Sequence, residues 1–221
     1  MNLAPFHNLA MLFGKNGYRL YMIGGTSRDY LLGRPVDDFD LVSDATPAQI
    51  QDFLPEANYR FSHYGNVKYR LGYQKVDITT LREEAGYKDY RHPQSISFVT
   101  DISKDYRRRD FTINAIYIDE TMKVFDFADG LTHLSERKIV MIGEPNARLQ
   151  EDPLRILRAL RFVIKLDFTL DSNLAKAISN NADLLEYLTP AKINAEIEKM
   201  EHMDMDKTMI LLNEFGLRAR Y

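Results

Sequence analysis

A chain of 221 residues, 45% hydrophobic and 28% charged, has the make-up of an ordinary globular protein and can bury a core in one large domain or two small ones. The absence of cysteine excludes disulfides and thiolate metal sites, and the five histidines show no zinc-ligand spacing. A net charge of −3 with a pI near 6.0 argues against a surface that binds nucleic acid all over. Residues 104–109 nevertheless hold four basic residues and 148–165 hold five, so any RNA contact is expected along a groove or stripe. No stretch approaches the roughly 18 apolar residues of a membrane span. Residues 1–12 also lack a secretory signal, so a cytoplasmic location with no membrane contact is expected.

In chain order, residues 1–13 read as an amphipathic helix. An apolar run over 20–23 feeds a Gly24-Gly25 turn that opens a helix through Arg28 to Leu32; Gly33 and Pro35 end it, and an acidic strand follows over 38–42. Thr46 is placed to cap the next helix, with Pro47 at its first position. Residues 59–60, 67–71 and 75–80 alternate as strands, and 82–98, polar with Gly86 and Pro93, reads as a mobile loop. Strands are expected at 113–118 and 124–127, joined by a turn at Asp119-Glu120. From Asp152 the pattern becomes helical. Pro153 suits a first turn, Ile156, Leu157, Leu160, Val163 and Ile164 form one apolar stripe, and further helices are expected at 171–187, 190–201 and near 205–215. The reading is an α/β head over 1–143 and a helical neck over 144–221.

The richest chemistry lies in residues 22–40. Side chains at i and i+2 of a strand point the same way, so Asp38 and Asp40 put two hard carboxylates on one face, suited to Mg²⁺ carrying substrate phosphates. Gly24 and Gly25 lack Cβ atoms, which lets their N–H groups approach a triphosphate at a helix N-terminus, within reach of Arg28. Taken singly, a Gly-Gly turn and an Asp-x-Asp pair are commonplace; together within one strand, helix and strand they are not.

Gly24, Gly25, Arg28, Asp29, Arg34, Pro35, Asp38 and Asp40 follow the pattern Gly-Gly-x-x-Arg-Asp, short helix, Arg-Pro, Asp-x-Asp. This resembles the signature of the nucleotidyltransferase superfamily that includes DNA polymerase β, in the version of the class II tRNA nucleotidyltransferases: CCA-adding enzymes and bacterial poly(A) polymerases. A second motif, Arg108-Arg109-Asp110-Phe111-Thr112 with Asn114-Ala115, resembles the family's element at the sugar and phosphates of the nucleotide. Asp110 and Asn114 have the chemistry to bond ribose hydroxyls. A third, Glu151-Asp152 with Arg155, resembles the family's base-reading motif. On spacing alone it belongs to an amphipathic helix whose basic outer face carries Arg155, Arg158 and Arg161.

A carboxylate at Asp152 accepts from the exocyclic amino group that cytosine and adenine share, and Arg155 donates beside it, whereas guanine and uracil would oppose a carbonyl to the carboxylate. Arg158 and Arg161 are then left for phosphates or RNA backbone. Asp77 reads equally as a third carboxylate or a strand-edge acid. Arg82, Tyr87, Asp89 and Arg91 resemble the family's flexible loop, and Lys192 stands where a neck motif usually has Arg.

The resemblance covers about residues 20–200. It implies a five-stranded polymerase-β-like head with an all-α neck, and an expected activity of template-independent CCA addition from CTP and ATP to the tRNA 3′ end, using two Mg²⁺ ions. An A-adding or CC-adding specialist, a poly(A) polymerase, and a catalytically silent RNA-binding remnant are the alternatives, the last because the family's body and tail helices are not seen in this sequence.

Overall fold

The computed structural model describes residues 2–87, 90 and 93–217. They form two compact units. The first gathers residues up to Ala85 with Ser95–Arg109 and Ile113–Leu131; the second gathers Gly86–Gln94, Asp110–Thr112 and the chain from Thr132 on, earlier than residue 144. Among the described residues no helix is long and apolar enough to cross a membrane.

In the first unit, α1 (Ala4–Lys15) starts with Pro5 in its first turn and buries Phe6, Leu9, Ala10 and Phe13, the i, i+3, i+4, i+7 stripe of a core-facing helix. Next come β1 (Leu20–Met22), α2 (Gly24–Leu31), β2 (Phe39–Ser43) and α3 (Pro47–Phe53). Thr46 caps α3 through a complete capping box with Gln49. A hairpin of β3 (Asn66–Leu71) and β4 (Gln74–Thr80) follows, then β5 (Arg82–Tyr87), β6 (Pro93–Phe98), α4 (Ile102–Asp105), β7 (Ile116–Ile118) and β8 (Val124–Asp126). The sheet order is β3-β4-β2-β1-β7-β8, six strands where the resemblance implied five. Only β2 and β4 run parallel, through a crossover that carries α3 and β3. One face packs on α1 and α3 through Phe39, Leu41, Val76 and Ile78. On the other, Tyr21, Val42, Leu81 and Tyr117 make a smaller core.

Three expectations are corrected here. Residues 59–60 form no strand; Asn58 makes a single bridge to Lys68 instead. The expected loop at 82–98 is a two-stranded pairing of β5 with β6. Neither strand buries a residue fully, so the apolar alternation that marks a core strand is missing. The run expected as a strand from 113 begins as a 3₁₀ turn over Thr112–Asn114 and becomes β7 only at Ile116.

After α5 (Gly130–Ser135), which straddles the boundary, the second unit holds β9 (Lys138–Ile139), α6 (Pro145–Glu151), α7 (Leu154–Leu166), β10 (Thr169–Leu170), α8 (Ser172–Asn181), α9 (Pro190–Glu201) and α10 (Met205–Glu214). The all-α expectation is corrected by the short parallel pair β9–β10. The helix expected over 171–187 stops at Asn181, whose side chain bonds Ala177 O and Asn146 Oδ1, and continues as a 3₁₀ segment. Helix α7 buries Ile156, Leu157, Leu160 and Ile164, and Phe162 packs edge-on against Phe111 at 5.6 Å.

Candidate active site

The corner between β1, α2 and β2 is built around Asp40. Gly24 has φ +62°, a left-handed turn that L side chains resist, and a Cβ on either Gly24 or Gly25 would sit 3.2 Å from Asp40 Oδ2. The missing side chains let Gly25 N–H donate to Asp40 Oδ2 at 3.1 Å, at the positive end of α2. Thr26 Oγ1 accepts from Asp40 N–H at 2.7 Å and so ties α2 to β2. Phe39 is buried between two exposed aspartates; β2 begins at Phe39 rather than at residue 38 as expected, so Asp38 lies just before the strand and Asp40 within it.

Asp40 is exposed as a residue, yet chain crowds its carboxyl, and this loss of hydration raises its pKa. Gly25 N–H opposes that rise, and Asp77, directly opposite in the β2–β4 register, adds to it. Asp77 also lies 3.6 Å from Lys68 Nζ, and Asp38 lies 3.8 Å from Lys75 Nζ while accepting from Lys75 N–H. A pair of hard carboxylates, one of them poorly hydrated, is a donor set that fits Mg²⁺, which takes one or two protein carboxylates and fills its octahedron with water and phosphate. Among the described residues no group of three or more His, Asp or Glu side chains is arranged to hold a metal.

Arg28 Nη2 lies 3.7 Å from where a Cβ on Gly25 would stand. The residue is 1% exposed, paired twice with Asp29 at 2.9 Å, and donates from Nη1 to Asn114 Oδ1 at 2.7 Å. The structure thus joins Arg28 to Asn114 inside the first unit rather than presenting either to solvent. Arg109 is held by Asp105, at 2.9 Å from Nε and 2.7 Å from Nη2, and lies over the Tyr117 ring.

Asp105 is a central residue that motif reading missed. Fully buried, it accepts from Arg108, Arg109, Tyr117 Oη and Arg82 N–H. Burial alone would raise its pKa, but the two guanidiniums and the tyrosine hydroxyl outweigh that and hold it well below the usual carboxylate range. Its spacing of i−3 and i−4 from Arg108 and Arg109 was a readable signal. Arg82 pairs with Glu84 Oε1 at 2.7 Å and donates to Tyr64 O.

In the second unit every arginine expected on the outer face of α7 has an acid. Arg155 donates to Glu151 Oε2 at 3.0 Å and to Arg148 O at 2.6 Å, and lies 6.0 Å over the Tyr87 ring. Arg158 is paired with Asp110 Oδ2 through Nε at 2.8 Å and through Nη2, and the Asp110 carboxylate raises its pKa. Arg161 donates to Glu196 Oε2 at 2.7 Å, where Lys199 also binds. The expectation that Arg158 and Arg161 stand free is therefore corrected: both side chains turn back onto carboxylates of their own unit. Asp152 Oδ1 accepts from Leu154 N–H at the start of α7. Asp110 bonds Arg158 within the second unit, and Asn114 bonds Arg28 within the first. Asp89 and Arg91 lie outside the described residues.

The Poly A polymerase head domain profile matches residues 20–140, the span that includes β1–α2–β2 and the Asp105 cluster. The chain belongs to this family. It is 40% identical over 184 residues to the CCA-adding enzyme of Limosilactobacillus reuteri, covering 83% of this chain and 46% of the relative. The crystal structure of the Bacillus stearothermophilus CCA-adding enzyme in complex with CTP superposes with a TM-score of 0.88 at 32% identity, over 99% of this chain and 54% of that one. The Thermotoga maritima CCA-adding enzyme complexed with tRNA_CCA does so with a TM-score of 0.76 at 27% identity, over 97% and 50%. The chain thus spans about half the length of the relatives it matches.

Proposed function

We propose that this chain carries a template-independent, Mg²⁺-dependent nucleotidyltransferase activity that builds CCA on the tRNA 3′ end from CTP and ATP and releases pyrophosphate. The observation that carries the reading is the Gly25 N–H···Asp40 bond, which fixes one carboxylate at the N-terminus of α2 with Asp38 two residues away. The names of the relatives support the choice of nucleotides and RNA.

Asp38 and Asp40 would hold the metal, which when bound supplies Lewis-acid stabilisation of the phosphates. The rest belongs to the chain. Gly24 and Gly25 lack the side chains that would crowd Asp40, and the positive end of α2 would favour phosphate beside it. The RNA 3′-oxygen loses its proton and forms a bond to the α-phosphorus as the bond to pyrophosphate breaks on the opposite side. Holding the two partners in line supplies much of the rate. In the second unit, Asp152 and Arg155 are proposed to select the base. Arg155 would do so by exchanging its contact with Glu151 for one with the nucleotide.

Poly(A) synthesis is the reading nearest to this one, and ATP as sole nucleotide separates them. On tRNA ending at its discriminator base, CCA addition predicts that ATP alone gives little product and that CTP with ATP completes the end. Long A tails from ATP alone, on tRNA and on unstructured RNA alike, would overturn the proposal in favour of a poly(A) polymerase.

A further inference from the structure

The end of the sheet beside β3 exposes aromatic side chains that the chemistry above does not use. Phe61, His63 and Tyr64 occupy the 3₁₀ turn that leads into β3, and all three are exposed. The His63 and Tyr64 rings lie 3.9 Å apart, and Arg60 lies 5.7 Å over the Phe61 ring. Phe98, at the end of β6, joins them across Gly65. That residue has φ +76°, and a Cβ there would come within 2.8 Å of Phe98 Cε1, so the glycine both closes the turn and seats the ring. Arg82, donating to Tyr64 O, pins the turn from β5.

A row of side chains connects this cluster to the carboxylates. Asp40 faces Asp77 and Asp77 faces Lys68 in register, with Lys68 Nζ 3.6 Å from Asp77. One step along the same face, Thr79 Oγ1 accepts from Asn66 Nδ2 at 3.4 Å, and Asn66 directly follows Gly65. Thr80 N–H, three residues after Asp77, donates to Gly65 O. At about 3.3 Å of rise per residue, the aromatic turn stands roughly 10 Å along the sheet from the Asp40–Asp77 pair.

Exposed rings interleaved with cations, a short polar path away from the proposed chemistry, are the surface that single-stranded nucleic acid takes, because every base has a π-face and every phosphate a charge. We infer that Tyr64 and Phe98 form a stacking platform for the nucleotides just behind the reacting 3′ end of the RNA, with Arg60 and Lys68 contacting their phosphates. The inference rests on the RNA substrate proposed above and assigns it a place on the first unit. It is independent of base selection, since stacking tolerates any sequence.

The test is equilibrium binding of a fluorescent single-stranded RNA oligonucleotide ending in CC to the whole chain, with Tyr64→Ala, Phe98→Ala, the double variant and Tyr64→Phe. KM for tRNA and for CTP is measured alongside. Loss of one stacked base costs about five- to a hundred-fold in affinity. Each alanine variant should weaken oligonucleotide binding by that factor and the double variant by more. Tyr64→Phe should bind like the parent, and KM should rise for RNA but not for CTP. Because both rings are exposed, folding is checked simply by an unchanged melting temperature. No binding by the parent chain, unchanged binding by the double variant, or equal losses in Tyr64→Phe and Tyr64→Ala would overturn the platform. Weakened binding by a chain that transfers no nucleotide would leave the platform standing and sink the proposed reaction instead. Capture of a protein on this surface with no RNA affinity would mark it as a protein-docking site.

Discussion

The β1–α2–β2 corner of the first unit and helix α7 of the second carry the two most distinctive motifs of the chain, and they treat charge in opposite ways. In the corner, the backbone is bent by glycine to bring one N–H and a helix terminus to Asp40, while Asp38 and Asp77 add negative charge nearby. Lys75 stands 3.8 Å from Asp38 and Lys68 3.6 Å from Asp77, both pairs exposed, while Gly25 N–H holds Asp40. Along α7 each of the three arginines is answered: Arg155 by Glu151, Arg158 by Asp110, Arg161 by Glu196. The first holds its carboxylates with exposed lysines and a backbone N–H. The second holds its arginines in pairs with carboxylates of the same unit.

That contrast can be broken at several points. Asp38→Ala or Asp40→Ala should lower single-turnover nucleotide addition by roughly four orders of magnitude, the several kcal/mol of charge stabilisation that a metal supplies, with little loss of thermal stability. Near-normal addition at saturating Mg²⁺ by a folded variant would remove the carboxylates from the mechanism.

Asp105→Ala should cost about 3–5 kcal/mol in denaturant unfolding, because it strands Arg108 and Arg109 in the interior. Its pH dependence carries a sign. With the folded pKa of Asp105 depressed below the ordinary 3.8, its contribution is present in full above 3.8 and is lost progressively as pH falls below that value and through the depressed folded pKa. The stability gap between Asp105→Asn and the parent should therefore shrink on acidification below about pH 4. A gap that widens on acidification would contradict the charged pair.

In α7 the effects are smaller. Asp152→Ala and Arg155→Ala should each lose roughly 1–3 kcal/mol of discrimination for CTP and ATP over UTP and GTP. Unchanged ratios among the four nucleotides would make the pairing of Arg155 with Glu151 purely structural. Smallest is Gly24→Ala, which should destabilise by about 1–2 kcal/mol from its left-handed turn. It should also push Asp40 aside, which a fall in addition exceeding the stability loss would reveal.

Local physics was legible in the sequence. Apolar spacing in α1, the Thr46 cap and the burial of Phe39 between two aspartates all follow from neighbours a few residues apart. The β5–β6 pairing was not, since two strands that bury no residue fully have no periodic signature. Nor were the partners of the arginines. Arg28 meets Asn114 86 residues away, Arg158 meets Asp110 48 away and Arg161 meets Glu196 35 away, distances at which spacing carries no information. Motif reading named Arg28, Arg158 and Arg161 by type and left them to seek ligands; the fold gave them carboxylates and amides. Asp105 and Glu151, within four residues of their arginines, could have been found by the helical pairing rule.

The most direct measurement is single-turnover extension of tRNA lacking its CCA end by this chain, with Mg²⁺ and each of the four nucleoside triphosphates singly and in pairs. CTP alone should extend the RNA to CC and stop, CTP with ATP should complete CCA, and UTP and GTP should be refused. No extension under any combination, or extension by all four nucleotides alike, would contradict the proposed reaction.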